Sequence, residues 1–483
     1  MIQTSKMTNY RWVICGMLFM ATTINYMDRQ VLSLLNTNYI SKDFHWDNDD
    51  YGTITAIFSL FYAVISLFAG RFIDWMGTKK GYIWAIVLWS VGACLHAGCG
   101  IATCWFNDVD SIEVLKTMEK ASQVGLFGLT VSVWLFIACR MILAMGESGN
   151  FPAAIKVTAE YFPKKDRALA TSIFNAGASI GALVAPLSIP ALADAFGWEM
   201  AFIIIGGLGF IWAGLWLFVY APPSKSRFVN QAELLYIESD DANTPQEAEE
   251  EKEESSPKLS LWECFKYRQT WAFIVGKLFT DGVWWFFLFW APDYFDSLGY
   301  PVTTFTGKML IFVLYLIVTV VSIYGGYLPK LFVEKRGMNP YAGRMRAMLI
   351  FAFFPIFAMF AQPLSGISPW IPAIIIGLAG AGHQAWSANL YSTIGDMFPK
   401  SAVATITGIG TMFGGLCSFA INKTSGLLFD YAEAQGDAFS FFGETGKPAG
   451  YMIVFCYCAV AYLIGWCIMK TLVPKYKPIV LDK

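Results

Sequence analysis

An arginine and a glutamate stand seven residues apart in "RMILAMGE" (140–147), inside one of the most apolar stretches of the chain. Seven residues is about two helical turns, so Arg140 and Glu147 share a helix face. Two further sites place charge in equally apolar surroundings: Asp28–Arg29 in "NYMDRQVLS", and Lys277 with Asp281, one helical turn apart. An ionised Asp, Arg or Lys near the centre of a membrane helix costs about 2.5–3.5 kcal/mol. Such residues face a polar cavity or a partner, and by default they mark ion, proton or substrate paths. Around Glu147, the small residues Gly146, Ser148 and Gly149 admit a neighbouring helix or a bound molecule, and Pro152 predicts a bend.

The elements that position these charges are membrane helices. The chain has 483 residues, 56% hydrophobic and only 14% charged, with mean hydropathy +0.49; a soluble domain carries roughly 25% charged residues. Apolar runs of about 20 residues recur along almost the whole length. They predict twelve spans, near 11–36, 52–74, 81–102, 128–157, 168–192 and 199–221, then 270–291, 305–332, 345–364, 369–394, 402–427 and 449–472. The expected fold is an all-α membrane protein, with one six-helix bundle in 1–221 and a second in 270–472. Residues 222–269 join them and contain "DDANTPQEAEEEKEESSP", too polar and acidic to bury a core, so this segment reads as a disordered cytoplasmic linker. Residues 473–483 form a cytoplasmic tail.

Basic residues set the orientation. With the N-terminus inside, about eighteen Lys and Arg outside the linker fall on the cytoplasmic side, against about five on the other. Both termini are then cytoplasmic. The halves also echo each other: "GRFIDWMGTKKG" from Gly70 matches "GYLPKLFVEKRG" from Gly326, and "FPKKDRALAT" from Phe162 matches "FPKSAVAT" from Phe398. The first half is longer between its two landmarks, and the extra residues fall in 103–127, an expected insertion. Duplicated six-helix halves are the signature of a secondary transporter with a central site.

Other classes lack support. A net charge of −2 gives no electrostatic basis for nucleic-acid binding. The ten cysteines form no CxxC pattern and the three histidines (His45, His96, His383) are scattered, so neither a metal site nor a cofactor is expected, and an enzyme has no visible machinery. The first apolar run is too long for a cleaved signal peptide.

The glycine-bounded basic loop after the second span resembles the signature loop of the major facilitator superfamily. More narrowly, "NYMDRQVLS", "ACRMILAMGESGNFPAAIK", "EYFPKKDRALATSIFNAGASIGALVAP" and "GHQAWSANLYSTIGDMFPK" resemble the anion:cation symporter family, and within it the hexuronate transporters. The resemblance implies a proton-coupled symporter of the bacterial inner membrane. It would import a sugar acid such as glucuronate or galacturonate by alternating access between two bundles. Its partners would be that small anionic sugar, protons and the bilayer, with the chain acting as a monomer. Asp28 matches an acid that galactonate transporters also keep, so an aldonate or other organic anion, or anion exchange, is the alternative.

Within that frame Arg29 is the expected anchor for the substrate carboxylate, because a guanidinium presents a planar fork and stays charged. Arg140 competes for that role or else holds Glu147. Glu147 and Asp28 are the expected proton carriers. A carboxyl whose arginine partner comes and goes changes its proton affinity during the cycle. Lys277 and Asp281 are either a self-neutralising pair or part of the site. Tyr26, Tyr62, Asn175, His383, Gln384, Trp386 and Asn389 supply candidates for hydroxyl recognition. Asp74, by the family pattern, and Arg167 belong to gating, whereas Lys79 and Lys80 serve topology as readily.

Overall fold

The computed structural model describes residues 7–240, 261–398 and 400–479. Twelve membrane helices follow one another among them. The first bundle holds α1 (Tyr10–Leu35), α2 (Asn48–Met76), α3 (Thr78–Ala97, carried on as Cys99–Phe106), α4 (Val131–Glu147 and Asn150–Tyr161), α5 (Lys164–Phe196) and α6 (Trp198–Val219). The second holds α7 (Arg268–Leu278 and Asp281–Ser297), α8 (Phe305–Arg336), α9 (Pro340–Ala352, ending in the 3-10 turn Phe354–Phe360), α10 (Trp370–Met397), α11 (Lys400–Gln435) and α12 (Gly446–Leu472). Eight of these are long and apolar enough to cross a bilayer on composition alone, or nine when the two pieces of α3, bent by 51°, count as one span. The other three, α1, α10 and α11, carry Asn25, Asp28, Arg29, Gln30, His383, Asn389 and Asn422, all buried against other helices. Polarity that lowers their hydropathy is what the interior of the protein uses.

Within the first bundle α1 packs along α5, and α3 along α4 and α6. In the second, α8 packs along α10, and α11 along α7 and α12. The bundles meet along α2–α11, α5–α8 and α1–α7. Backbones come close there: a Cβ on Gly426 would lie 2.4 Å from the Asn48 carbonyl oxygen, and one on Gly52 2.7 Å from that of Asn422. Small residues let membrane helices approach in this way.

Two helices are broken beside the charges. In α4 the break falls at Ser148–Gly149. Pro152 has no N–H for the Ser148 carbonyl four residues back, and its ring crowds that carbonyl. In α7 the break falls at Phe279–Thr280, where the Thr280 N–H bonds back to the Lys277 carbonyl at 3.2 Å, a tightened turn. Side chains take up the carbonyls freed there. Trp386 Nε1 donates to the Gly276 oxygen at 3.3 Å, Thr280 Oγ1 to the same oxygen at 2.6 Å, and Tyr462 OH to the Thr280 oxygen at 3.3 Å.

The two bundles are tied together at the end opposite the start of α1 and the close of α12. Lys423 of α11 pairs with Asp49 of α2 at 2.5 Å, and Lys447 of α12 donates to Asn48 Oδ1 of α2 at 2.8 Å. Asp430 accepts from the backbone N–H of Asn48 at 2.8 Å and of Asp49 at 2.7 Å, so a residue of the second bundle caps the α2 N-terminus. A cleft of about 480 Å³ remains here, lined by Asn36, Lys42, Asp293, Asp430, Glu433 and Lys447 among others.

The 103–127 stretch folds over the α1–α2 connection and closes with a two-stranded hairpin, β1 (Gly125–Leu126) and β2 (Leu129–Thr130). Lys116 pairs with Asp43 at 3.1 Å, and Lys120 reaches Asp47 and, at 2.6 Å, Asp50. Burial works against the Lys120 ammonium, but its bonds to Asp47 and Asp50 outweigh that and hold its pKa above the ordinary lysine value.

One expectation is corrected. Residues 222–269 read as disordered, yet the part up to 240 is structured and contains the short helix Gln231–Ile237. Glu233 in it is fully buried, pairs with Arg11 at 3.0 Å and accepts from the backbone N–H groups of Tyr10 and Arg11. It caps the N-terminus of α1. Composition missed this because one buried acid, matched to one helix end, has no signal in an acidic average. The acidic run itself, 241–260, lies outside the described residues.

Candidate functional site

The opening pair of charges is divided between helices. Glu147, at the end of the first piece of α4, is held by Arg29 of α1: Nη2 lies 2.8 Å and Nε 2.9 Å from the same oxygen, Oε2. This corrects the expectation that Arg140 holds Glu147. Arg140 instead turns its Nη1 and Nη2 toward the Arg29 backbone carbonyl, at 3.5 and 3.4 Å, with its guanidinium 5.3 Å from the Phe58 ring. The small residue beside Glu147 serves helix packing. A Cβ at Gly146 would lie 2.4 Å from the Ala85 carbonyl oxygen of α3.

Arg29 sits in a cage of aromatic faces. Its guanidinium carbon is 4.8 Å from the Tyr62 ring, 5.2 Å from Tyr26 and 5.2 Å from Trp285 of the second bundle. The guanidinium itself is buried, whereas Tyr26, Tyr62 and Trp285 are only half-buried. The cage is therefore the accessible wall, and the ion pair lies behind it. Arg stacks on such faces while its fork stays available in the plane. Around the pair several polar atoms have no hydrogen-bond partner: Glu147 Oε1, both carboxyl oxygens of Asp28 and both side-chain polar atoms of Asn25. Native interiors keep such atoms satisfied unless they serve a further purpose.

The second bundle offers its own charges. Lys277 Nζ lies 2.7 Å from Asp281 Oδ2, across the break in α7, and 4.7 Å from the centre of the Tyr391 ring. Trp285, one turn beyond Asp281, is the residue that reaches the Arg29 cage. His383 stacks on Trp284 at 5.4 Å and shares a 2.8 Å hydrogen bond with Tyr462 OH.

The remaining candidates scatter. Trp386 is fully buried and bonds inward to the Gly276 carbonyl, and Asn389 donates to the Gly325 and Ala385 carbonyls at 2.8 Å each. Both hold helices of the second bundle together. Gln384 is half-buried and Asn175 exposed on α5. The side chains of Asp74 and Arg167 lie outside the described residues. Lys79 Nζ donates to the Leu217 carbonyl at 2.8 Å. Sequence reading missed Trp285, Tyr391 and Asn25. Trp285 was within reach, since Lys277, Asp281 and Trp285 follow at intervals of four on one helix face. Among the described residues no group of three or more His, Cys, Asp or Glu is placed to hold a metal.

The arrangement is thus two buried ion pairs, one per bundle, with half-buried aromatic rings between them. Comparison with known proteins agrees with this architecture. The chain is 28% identical over 428 residues to the hexuronate transporter of Escherichia coli K12, covering 88% of this chain and 89% of that one. It is 27% identical over 368 residues to the galacturonate transporter of Dickeya chrysanthemi, covering 75% and 95%. The crystal structure of a D-xylose-proton symporter shares the fold with a TM-score of 0.68 at 15% identity, covering 97% and 98%. Two packed six-helix bundles, together with a match to the family model of the Major Facilitator Superfamily over residues 18–421, place this chain in that family of membrane transporters, which are not enzymes.

Proposed function

We propose that the protein imports a sugar acid, a hexuronate such as glucuronate or galacturonate, together with protons across a bacterial inner membrane. The observation that carries the reading is the Arg29–Glu147 pair inside its aromatic cage, with Glu147 Oε1 and the Asp28 carboxyl left unpartnered. Relatives named hexuronate and galacturonate transporters support the substrate class.

The chemistry follows from one guanidinium shared by two carboxylates in turn. In the described state Glu147 occupies Arg29. A proton on Glu147 removes its charge and frees the fork, and the substrate carboxylate takes the vacated position. Loss of that proton on the other side of the membrane restores the pair and expels the anion. Asp28, one residue from Arg29 and without its own partner, is a second proton position. Coupling is needed because an inside-negative potential opposes inward movement of a monoanion by about 2.3 kcal/mol per 100 mV. One proton cancels that term, and a second lets the potential drive uptake. The basic loops make the tied end the outer one, and alternating access then requires the cytoplasmic end to be the one that opens while this tie holds. Asp74 and Arg167 would close that side when the outer end parts.

Uptake of labelled sugar acids into proteoliposomes, with and without an imposed pH gradient, tests this. Accumulation of a hexuronate that collapses when the gradient is removed is the expected result. Accumulation indifferent to the gradient would remove proton coupling, and failure to take up any sugar acid would remove the substrate class.

A further inference from the structure

The Lys277–Asp281 pair holds hydrogen-bonding capacity that the Arg29 site does not use. Asp281 is 6% exposed; its Oδ2 holds Lys277, and its Oδ1 has no partner. A buried carboxylate oxygen without a donor is costly to keep. Room for this carboxylate is provided by α11: a Cβ on Gly414 would lie 2.2 Å from Asp281 Oδ2. Lys277 carries three N–H donors, of which Asp281 takes one and the Tyr391 ring covers another side. Asp281 and Trp285 are one turn apart on α7, about 5.4 Å, and the Trp285 ring lies 5.2 Å from the Arg29 guanidinium. Trp285 thus links the pair to Arg29 across the two bundles.

We propose that Lys277 and Asp281 form the subsite for the hydroxylated, uncharged end of the substrate, and that Asp281 excludes molecules carrying a second carboxylate there. This rests on the sugar-acid reading above and adds to it the direction in which the substrate lies. A sugar hydroxyl is donor and acceptor at once, so it donates to Asp281 Oδ1 while accepting from Lys277 Nζ. A carboxylate only accepts. It has nothing to offer Oδ1 and meets a like charge, an arrangement that disfavours the wrong ligand. The half-buried faces of Tyr391 and Trp285 suit the apolar face of a sugar ring between the two ends. The substrate thus points its carboxylate to the first bundle and its hydroxyls to the second.

Calorimetry on the purified full-length protein in detergent, with galacturonate (one carboxylate) and galactarate (two), tests the assignment. The parent should bind galacturonate at least tenfold more tightly than galactarate. Asp281→Asn should narrow or invert that ratio, since an amide donates to the second carboxylate where Asp281 repelled it. The double variant Lys277→Gln/Asp281→Asn leaves no unpaired charge and covers the case in which the single variant does not fold. It should also lose the discrimination. An unchanged ratio in a folded variant, or equal binding of both acids by the parent, overturns the subsite while leaving the sugar-acid reading intact. A parent that binds neither acid removes that reading, and the subsite falls with it.

Discussion

The two buried ion pairs look alike in burial and separation but differ in how they are strung on the chain. Arg29 and Glu147 stand on different helices, α1 and α4, 118 residues apart in sequence. Lys277 and Asp281 stand four residues apart on the two pieces of α7, either side of its break. A pair between helices opens when those helices shift or when one partner loses its charge. A pair four residues apart is spared the shift of one helix against another, so only bending at the break between its partners alters it, and it neutralises itself during insertion. The first can act as a switch, and the second as a fixed reference. Pair geometry, more than pair burial, tells which charge in a transporter is free to change partners.

The comparison breaks first at Glu147. Glu147→Gln, which imitates the protonated carboxyl, should abolish accumulation under a pH gradient and spare exchange of labelled for unlabelled substrate. Accumulation at the parent level would remove Glu147 from the switch. Next in size is Arg29→Lys. Charge is kept but the fork is lost, so galacturonate binding should weaken about 10–100-fold by calorimetry, the equivalent of one or two charge-assisted hydrogen bonds. Arg140→Lys should change affinity far less, because Arg140 faces a backbone carbonyl. If the two results are exchanged, the substrate anchor is Arg140.

A further effect concerns stability and sharpens the contrast from the other side. Asp281→Asn leaves Lys277 buried without its partner, a change that costs about 3–5 kcal/mol at buried pairs. The double variant Lys277→Gln/Asp281→Asn should recover most of that loss in thermal unfolding followed in detergent. A double variant as unstable as the single one would mean that the pair stabilises the fold by more than mutual neutralisation. The smallest effect is expected from deleting residues 241–256, a run almost without apolar side chains. Transport per folded molecule should stay near the parent value, and a large loss would show that the acidic run takes part in the cycle.

Much of the architecture was legible in the amino-acid order alone. Bilayer thickness turns helix number into a one-dimensional property, so runs of about 20 apolar residues marked the spans. Charges in those runs stood out because their insertion cost is local. Asp28, Arg29, Arg140, Glu147, Lys277 and Asp281 were visible for that reason. Only tertiary structure decided which charges meet. Arg140 and Glu147 share a face, yet rotation of α1 against α4 gives Glu147 to Arg29. The same packing turned Trp386 and Asn389 into their own bundle, brought Trp285 across to the Arg29 cage and gave Glu233 the buried end of α1. Hydrophobic length is set residue by residue, whereas partner choice depends on how whole helices rotate and cross, and no single stretch of sequence carries that information.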